Sequence, residues 1–85
     1  MTRKVDLQGA VWIKTRPQTY ENSTGEREPR SFDFGMLQLD VLEMIDHWST
    51  DYAYFKVRVK AGKFYVLRRA RNGDDWDVTQ LSSIR

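Results

Sequence analysis

The chain contains no cysteine, so neither a disulfide framework nor a thiolate zinc site can form. It has one histidine, His47, and neither a nucleophile elbow nor a glycine-rich phosphate cradle. No apolar run approaches the ~18 residues of a membrane span, which predicts no membrane partner. The N-terminal stretch MTRKVDLQGAVWIKT alternates and carries charge, unlike the apolar centre of a signal peptide. The expected location is therefore the cytoplasm, and the glycosylation triplet Asn22-Ser23-Thr24 carries no weight there. These absences argue against an enzyme and predict no metal and no cofactor.

Four Phe, four Tyr and three Trp in 85 residues give a small core large burial per side chain. A length of 85 residues suits one domain, 1–85. Hydrophobic content of 40% beside 31% charge is that of a folded domain and not of a disordered tail.

The net charge of +2 says little, but its distribution is uneven. Residues 31–53 hold five acids and no Lys or Arg, whereas residues 54–71, YFKVRVKAGKFYVLRRAR, hold seven cations and no acid. Blocks of this kind create local fields even where the total is near zero.

Val5, Leu7, Gly9, Val11 and Ile13 alternate with more polar residues, which predicts a strand with a bulge or close-packing point at Gly9. Residues 16–30, rich in Pro, Gly, Thr, Asn and Glu, predict a long mobile loop. Phe32 and Phe34 alternate with Asp33 and Gly35, which suggests a strand returning against the first; a helix entry over Phe32–Leu39 is the alternative. Asp40 and Glu43 resemble a capping box. Beyond them Val41, Met44, Ile45 and Trp48 share one helical face, so the reading is a helix ending near Ser49–Asp51 with Trp48 in the core.

The remainder predicts a meander. Lys60-Ala61-Gly62 suits a three-residue turn with Gly62 left-handed, and Asn72-Gly73 is a strong hairpin signal. Together they pair Val57 with Tyr65, Phe55 with Leu67, Leu67 with Val78 and Arg69 with Trp76. One face then holds Phe55, Val57, Val59, Tyr65, Leu67, Trp76 and Val78. The predicted fold is α+β, a small mostly antiparallel sheet in the order β-β-α-β-β-β with one helix packed on one face.

The opposite face would present Tyr54, Lys56, Arg58, Phe64, Val66 and Arg68, with Asp77 placed to pair with Arg68. Rings beside cations on an open sheet suit single-stranded nucleic acid, because bases stack while Lys and Arg neutralise phosphates. The candidate nucleic-acid-binding set is Tyr54, Lys56, Arg58, Lys60, Lys63, Phe64, Arg68, Arg69 and Arg71, for single- or double-stranded ligands. The ordinary alternative is a solvated sheet face whose charges protect its edges.

A second functional reading is a protein-interaction or regulatory module without enzymatic activity. Its candidates are Trp12, on the polar phase of its strand, and Asp40, Glu43 and His47 on the polar face of the expected helix. Trp and Arg are enriched at interface hot spots. An acidic helix would also complement the basic ribbon, within one molecule or between the copies of a homodimer.

Overall fold

The computed structural model describes residues 7–81. Eight strands follow one another: β1 (Ile13–Thr15), β2 (Gln18–Glu21), β3 (Arg27–Phe34), β4 (Leu37–Asp40), β5 (Glu43–Ser49), β6 (Tyr52–Val59), β7 (Lys63–Ala70) and β8 (Trp76–Gln80). They form a five-stranded sheet in the order β1-β8-β7-β6-β5 and a three-stranded sheet in the order β2-β3-β4, and every pairing is antiparallel. The only helical element among the described residues is one short 3-10 turn at Lys60–Gly62. The fold is all-β, and the expected α+β architecture with a packed helix is overturned.

The segment expected to be helical is a bulged strand. Met44 pairs with Val57 and Asp46 pairs with Lys56, so Ile45 is an extra residue. A bulge sets two residues against one, so Glu43 and Asp46 face one side while Met44 and His47 face the other. That step of three mimics the i, i+3 spacing of a helix, which misled the reading of Val41, Met44, Ile45 and Trp48.

Residues 16–30 are also more ordered than a loop. Asn22 organises a turn: its Oδ1 accepts from Thr24 N (2.9 Å), Thr24 Oγ1 (2.8 Å) and Glu26 N (2.9 Å), and its Nδ2 donates to Glu28 (2.7 Å). The hairpin β2–β3 grows from that turn. Pro29 cannot donate to a ladder, and it sits beside a register shift, with Thr19 opposite Pro29 but Gln18 opposite Ser31. Polar residues on a small, mostly solvated hairpin give no alternation to read.

The chain before β1 departs from the expected strand as well. Gly9, with φ +82°, closes a turn in which Ala10 N donates to Leu7 O at 3.0 Å. Val5 lies outside the described residues. Ser31–Phe34 is a strand, as expected, but it pairs with β2 and β4 instead of β1. Its link to β1 runs through a side chain: Thr15 Oγ1 donates to Asp33 O (2.7 Å) and accepts from Asp33 N (3.1 Å).

The meander keeps its expected register. Val57 faces Tyr65, Phe55 faces Leu67, Leu67 faces Val78 and Arg69 faces Trp76. All seven residues of the expected inner face are buried, and Phe32 of the smaller sheet joins them. Phe32 and Phe34 meet Tyr65 edge-on at 5.3 and 5.0 Å. Each large apolar side chain buried there contributes about 1.5–3 kcal/mol. Gly62 is left-handed at φ +70°, and Ala61 shares that conformation at +66°. Asn72 and Gly73 lie within the five-residue connection 71–75, where Gly73 needs no positive φ.

Two connections switch sheets and span the open sides of the sandwich, as strands do at sandwich corners. Arg16-Pro17 carries the chain from β1 to β2. At the other side Val41 N donates to Arg30 O in the small sheet, and Leu42 N donates to Arg58 O in the large one, both at 2.9 Å.

Candidate interaction surface

The outer face of the five-stranded sheet is ordered by register. Lys14, Asp77, Arg68, Tyr54 and Trp48 fall in one row across all five strands. Thr79, Val66, Lys56 and Asp46 form the next row. Phe64, Arg58 and Glu43 form a third. Trp12 precedes β1 beside the second row, and Tyr52 lies beyond the first.

The side chains of this face engage one another. The Arg68 guanidinium carbon lies 4.2 Å from the Trp12 ring centre and 4.4 Å from that of Tyr52, while its Nε donates to Asp77 at 3.1 Å. Trp48 stacks on Tyr54 with centroids 5.1 Å apart and planes 6° from parallel, and Trp12 meets Tyr54 edge-on at 6.4 Å. The Lys56 ammonium lies 5.6 Å from the Phe64 ring centre. Trp12, Trp48, Tyr52, Tyr54 and Phe64 are all half-buried. Val66 and Thr79 share their phase yet are buried, so within the apolar FYVL run only Phe64 is partly open.

Acids temper the cations. Arg58 Nε donates to Glu43 at 3.0 Å, and Lys14 joins Arg68 on Asp77 at 3.6 Å. The face therefore sets Lys14, Lys56, Arg58 and Arg68 against Glu43, Asp46 and Asp77. That is four cations for three acids, a net charge of +1. From the acidic block of residues 31–53, Glu43 pairs with Arg58 and Asp46 lies opposite Lys56, both on a neighbouring strand and not on a helix.

The structure divides the nine residues of the nucleic-acid candidate set. Tyr54, Lys56, Arg58, Phe64 and Arg68 share the outer face. Lys60 and Lys63 are exposed at the β6–β7 turn. Arg71 is exposed at the far end of the ribbon, donating to Thr50 O at 3.3 Å. Eight-residue strands put those ends about 25 Å apart. Arg69 leaves the patch altogether: it takes the inner phase opposite Trp76, with its Nε buried and without a hydrogen-bond partner among the described residues.

The polar set of the expected helix is dispersed too. Asp40 ends β4, and Glu43 is on the outer face of the large sheet. His47 takes the inner phase, stacked near Phe55 at 6.3 Å, with its Nε2 4.0 Å from Glu26 Oε1. A strand separates what a helix would have gathered. Trp12 precedes β1 instead of lying in the expected strand, and it reaches the outer face through Arg68 and Tyr54. Trp48 and Tyr52 were missed as surface residues. The alternation of Tyr52 with Ala53 carried a signal for Tyr52, whereas the bulge concealed Trp48.

Comparison with protein-family models, with curated proteins and with solved structures finds no match. Among the described residues no cluster of three or more metal-ligating side chains occurs, and no helix is long and apolar enough to cross a membrane.

Proposed function

We propose that this chain is a cytoplasmic protein-interaction module without enzymatic activity, which presents the outer face of its large sheet to a partner. One observation carries the reading: two Trp and two Tyr remain half-exposed around Arg68 on a face whose charges are largely paired internally. Trp, Tyr and Arg dominate interface hot spots because they bury large area with few rotatable bonds. A rigid, near-neutral aromatic face suits a protein surface better than a polyanion, which rewards uncommitted cations. A chain free of disulfides suits a reducing compartment.

The test compares the parent with a Trp48→Ala/Tyr54→Ala variant of unchanged fold, both immobilised and exposed to cell extract. The reading expects partners retained by the parent and lost by the variant, with no binding to mixed oligonucleotides at low salt. Oligonucleotide affinity falling linearly with salt on logarithmic axes would instead assign the face to nucleic acid.

A further inference from the structure

The five-stranded sheet ends in an open edge at β5, whose backbone pairs with β6 on one side only. Beside that edge a groove separates the two sheets, starting where the chain switches between them at Val41 and Leu42. Tyr20, Pro29 and Arg30 form one wall, and Leu42 and Glu43 form the other. Val41 and Met44 line the groove too, and both pack against the core. Val41 N donates to Arg30 O within the groove, and on the inner phase of β5 His47 Nε2 lies 4.0 Å from Glu26 Oε1. Leu42 and Ile45 are exposed along this edge, at 56% and 40%.

We propose that β5 is a docking edge for an extended peptide from another protein, in which Lys or Arg alternates with apolar residues. The occupant's chemistry follows from the two phases of β5. On the outer phase Glu43, Asp46 and Trp48 already face Arg58, Lys56 and Tyr54 of β6. A strand added on the open side meets the same three residues, so cations beside Glu43 and Asp46 and near Trp48 complete the pattern. Among the described residues Asp46 forms no ion pair: its Oδ1 accepts from His47 N at 2.8 Å, and the Lys56 ammonium opposite lies over Phe64. The inner phase turns apolar side chains toward Met44 and Val41. Main-chain hydrogen bonds along the edge supply affinity while alternate side chains supply specificity.

The edge also discriminates against its own copies. Antiparallel pairing of two β5 strands brings acids toward acids, a device that edge strands commonly use. A cationic partner strand meets no such repulsion. The proposal does not depend on what occupies the aromatic face beyond Trp48.

The test uses an acetylated peptide of alternating valine and lysine, seven residues long to match β5, titrated into the full chain and followed by amide NMR. The expected result is shifts confined to residues 42–49 and the groove wall, with slowed hydrogen exchange at the outward amides of β5. Asp46→Lys should weaken binding about tenfold, the weight of one good charged contact, whereas Trp12→Ala should leave it unchanged. A peptide N-methylated along its pairing edge keeps every side chain and should not bind. The proposal fails if the methylated peptide binds equally, if a valine–glutamate peptide binds as tightly, or if shifts map instead to Trp12 and Tyr52 on the aromatic face. It fails equally if the protein dimerises without peptide and Leu42→Asp breaks the dimer, since a second copy would then own the groove.

Discussion

Arg68 and Asp77 face each other across β7 and β8 at 3.1 Å, with the Arg68 guanidinium held between the rings of Trp12 and Tyr52. Both partners are mostly shielded from solvent, with side chains 22% and 16% exposed. Arg58 and Glu43 make a bond of similar length, but more openly, at 37% and 54%. Exposed pairs contribute roughly 0–1 kcal/mol, whereas a charged hydrogen bond combined with cation–π contacts is worth more. Arg68→Ala should therefore cost about 1–3 kcal/mol and Arg58→Ala less than about 1 kcal/mol. Arg68→Lys should recover only part of the loss, because an ammonium lacks the planar stacking surface. Urea denaturation of the three variants decides this, and equal losses for the two alanine variants would contradict it.

Trp48 stacks on Tyr54 outside the core, while Phe55 is 1% exposed inside it. Trp48→Ala should cost about 1–2 kcal/mol, near the average for a point substitution, against about 3–5 kcal/mol for Phe55→Ala. Thermal melts of both variants measure the contrast. A Trp48→Ala loss as large as that of Phe55→Ala would mean that this ring supports the core.

Thr15 is the hydrogen-bonded link between β1 and β3, serving both the N–H and the C=O of Asp33. Thr15→Val keeps the shape but leaves two backbone groups without that partner, which should cost about 1–3 kcal/mol. Thr15→Ser retains the hydroxyl and should lose far less. Hydrogen exchange at the Asp33 amide should quicken in the valine variant alone.

Ala61 adopts φ +66° in the β6–β7 turn, a conformation that costs a residue with a Cβ about 1 kcal/mol. Ala61→Gly should therefore be neutral or stabilising, by up to about 1 kcal/mol, despite the looser unfolded chain. A clear destabilisation measured by urea titration would show that the Ala61 methyl is needed.

Burial pushes the Tyr65 phenol above its ordinary pKa of 10.0. In the unfolded chain this proton leaves near the ordinary value, so above about pH 10 the unfolded state binds fewer protons than the folded one. Stability should accordingly fall as pH rises beyond that point, while the group contributes no pH dependence near neutrality. Tyr65→Phe should flatten the alkaline limb of a stability–pH curve. An unchanged limb would place its origin elsewhere.

The residues themselves determined the meander. Val59 to Lys63 and the Asn72-Gly73 segment brought turn chemistry to two points, and strict alternation between them left one register that buries Phe55, Val57, Leu67 and Val78 together. Strand pairing of neighbours is local, so a short stretch of sequence contains its cause. The tertiary structure decided the rest. Asp40 to Asp51 carries a spacing compatible with a helix or with a bulged strand, and only the open edge of β6 selects the strand, because it offers backbone partners along its length. The hairpin of β2 and β3 lacks alternation and owes its form to the Asn22 turn and to Phe32 docking on Tyr65. The seven cations of residues 54–71 were legible as a basic ribbon, but the fate of most of them was not. Asp77 was readable as the partner of Arg68, because the Asn72-Gly73 segment sets that register, whereas Arg58 meets Glu43 only once β5 lies beside β6 as a strand. A charge is read from the residue that bears it, whereas its neutralisation is legible only where a local turn already fixes the partner strand.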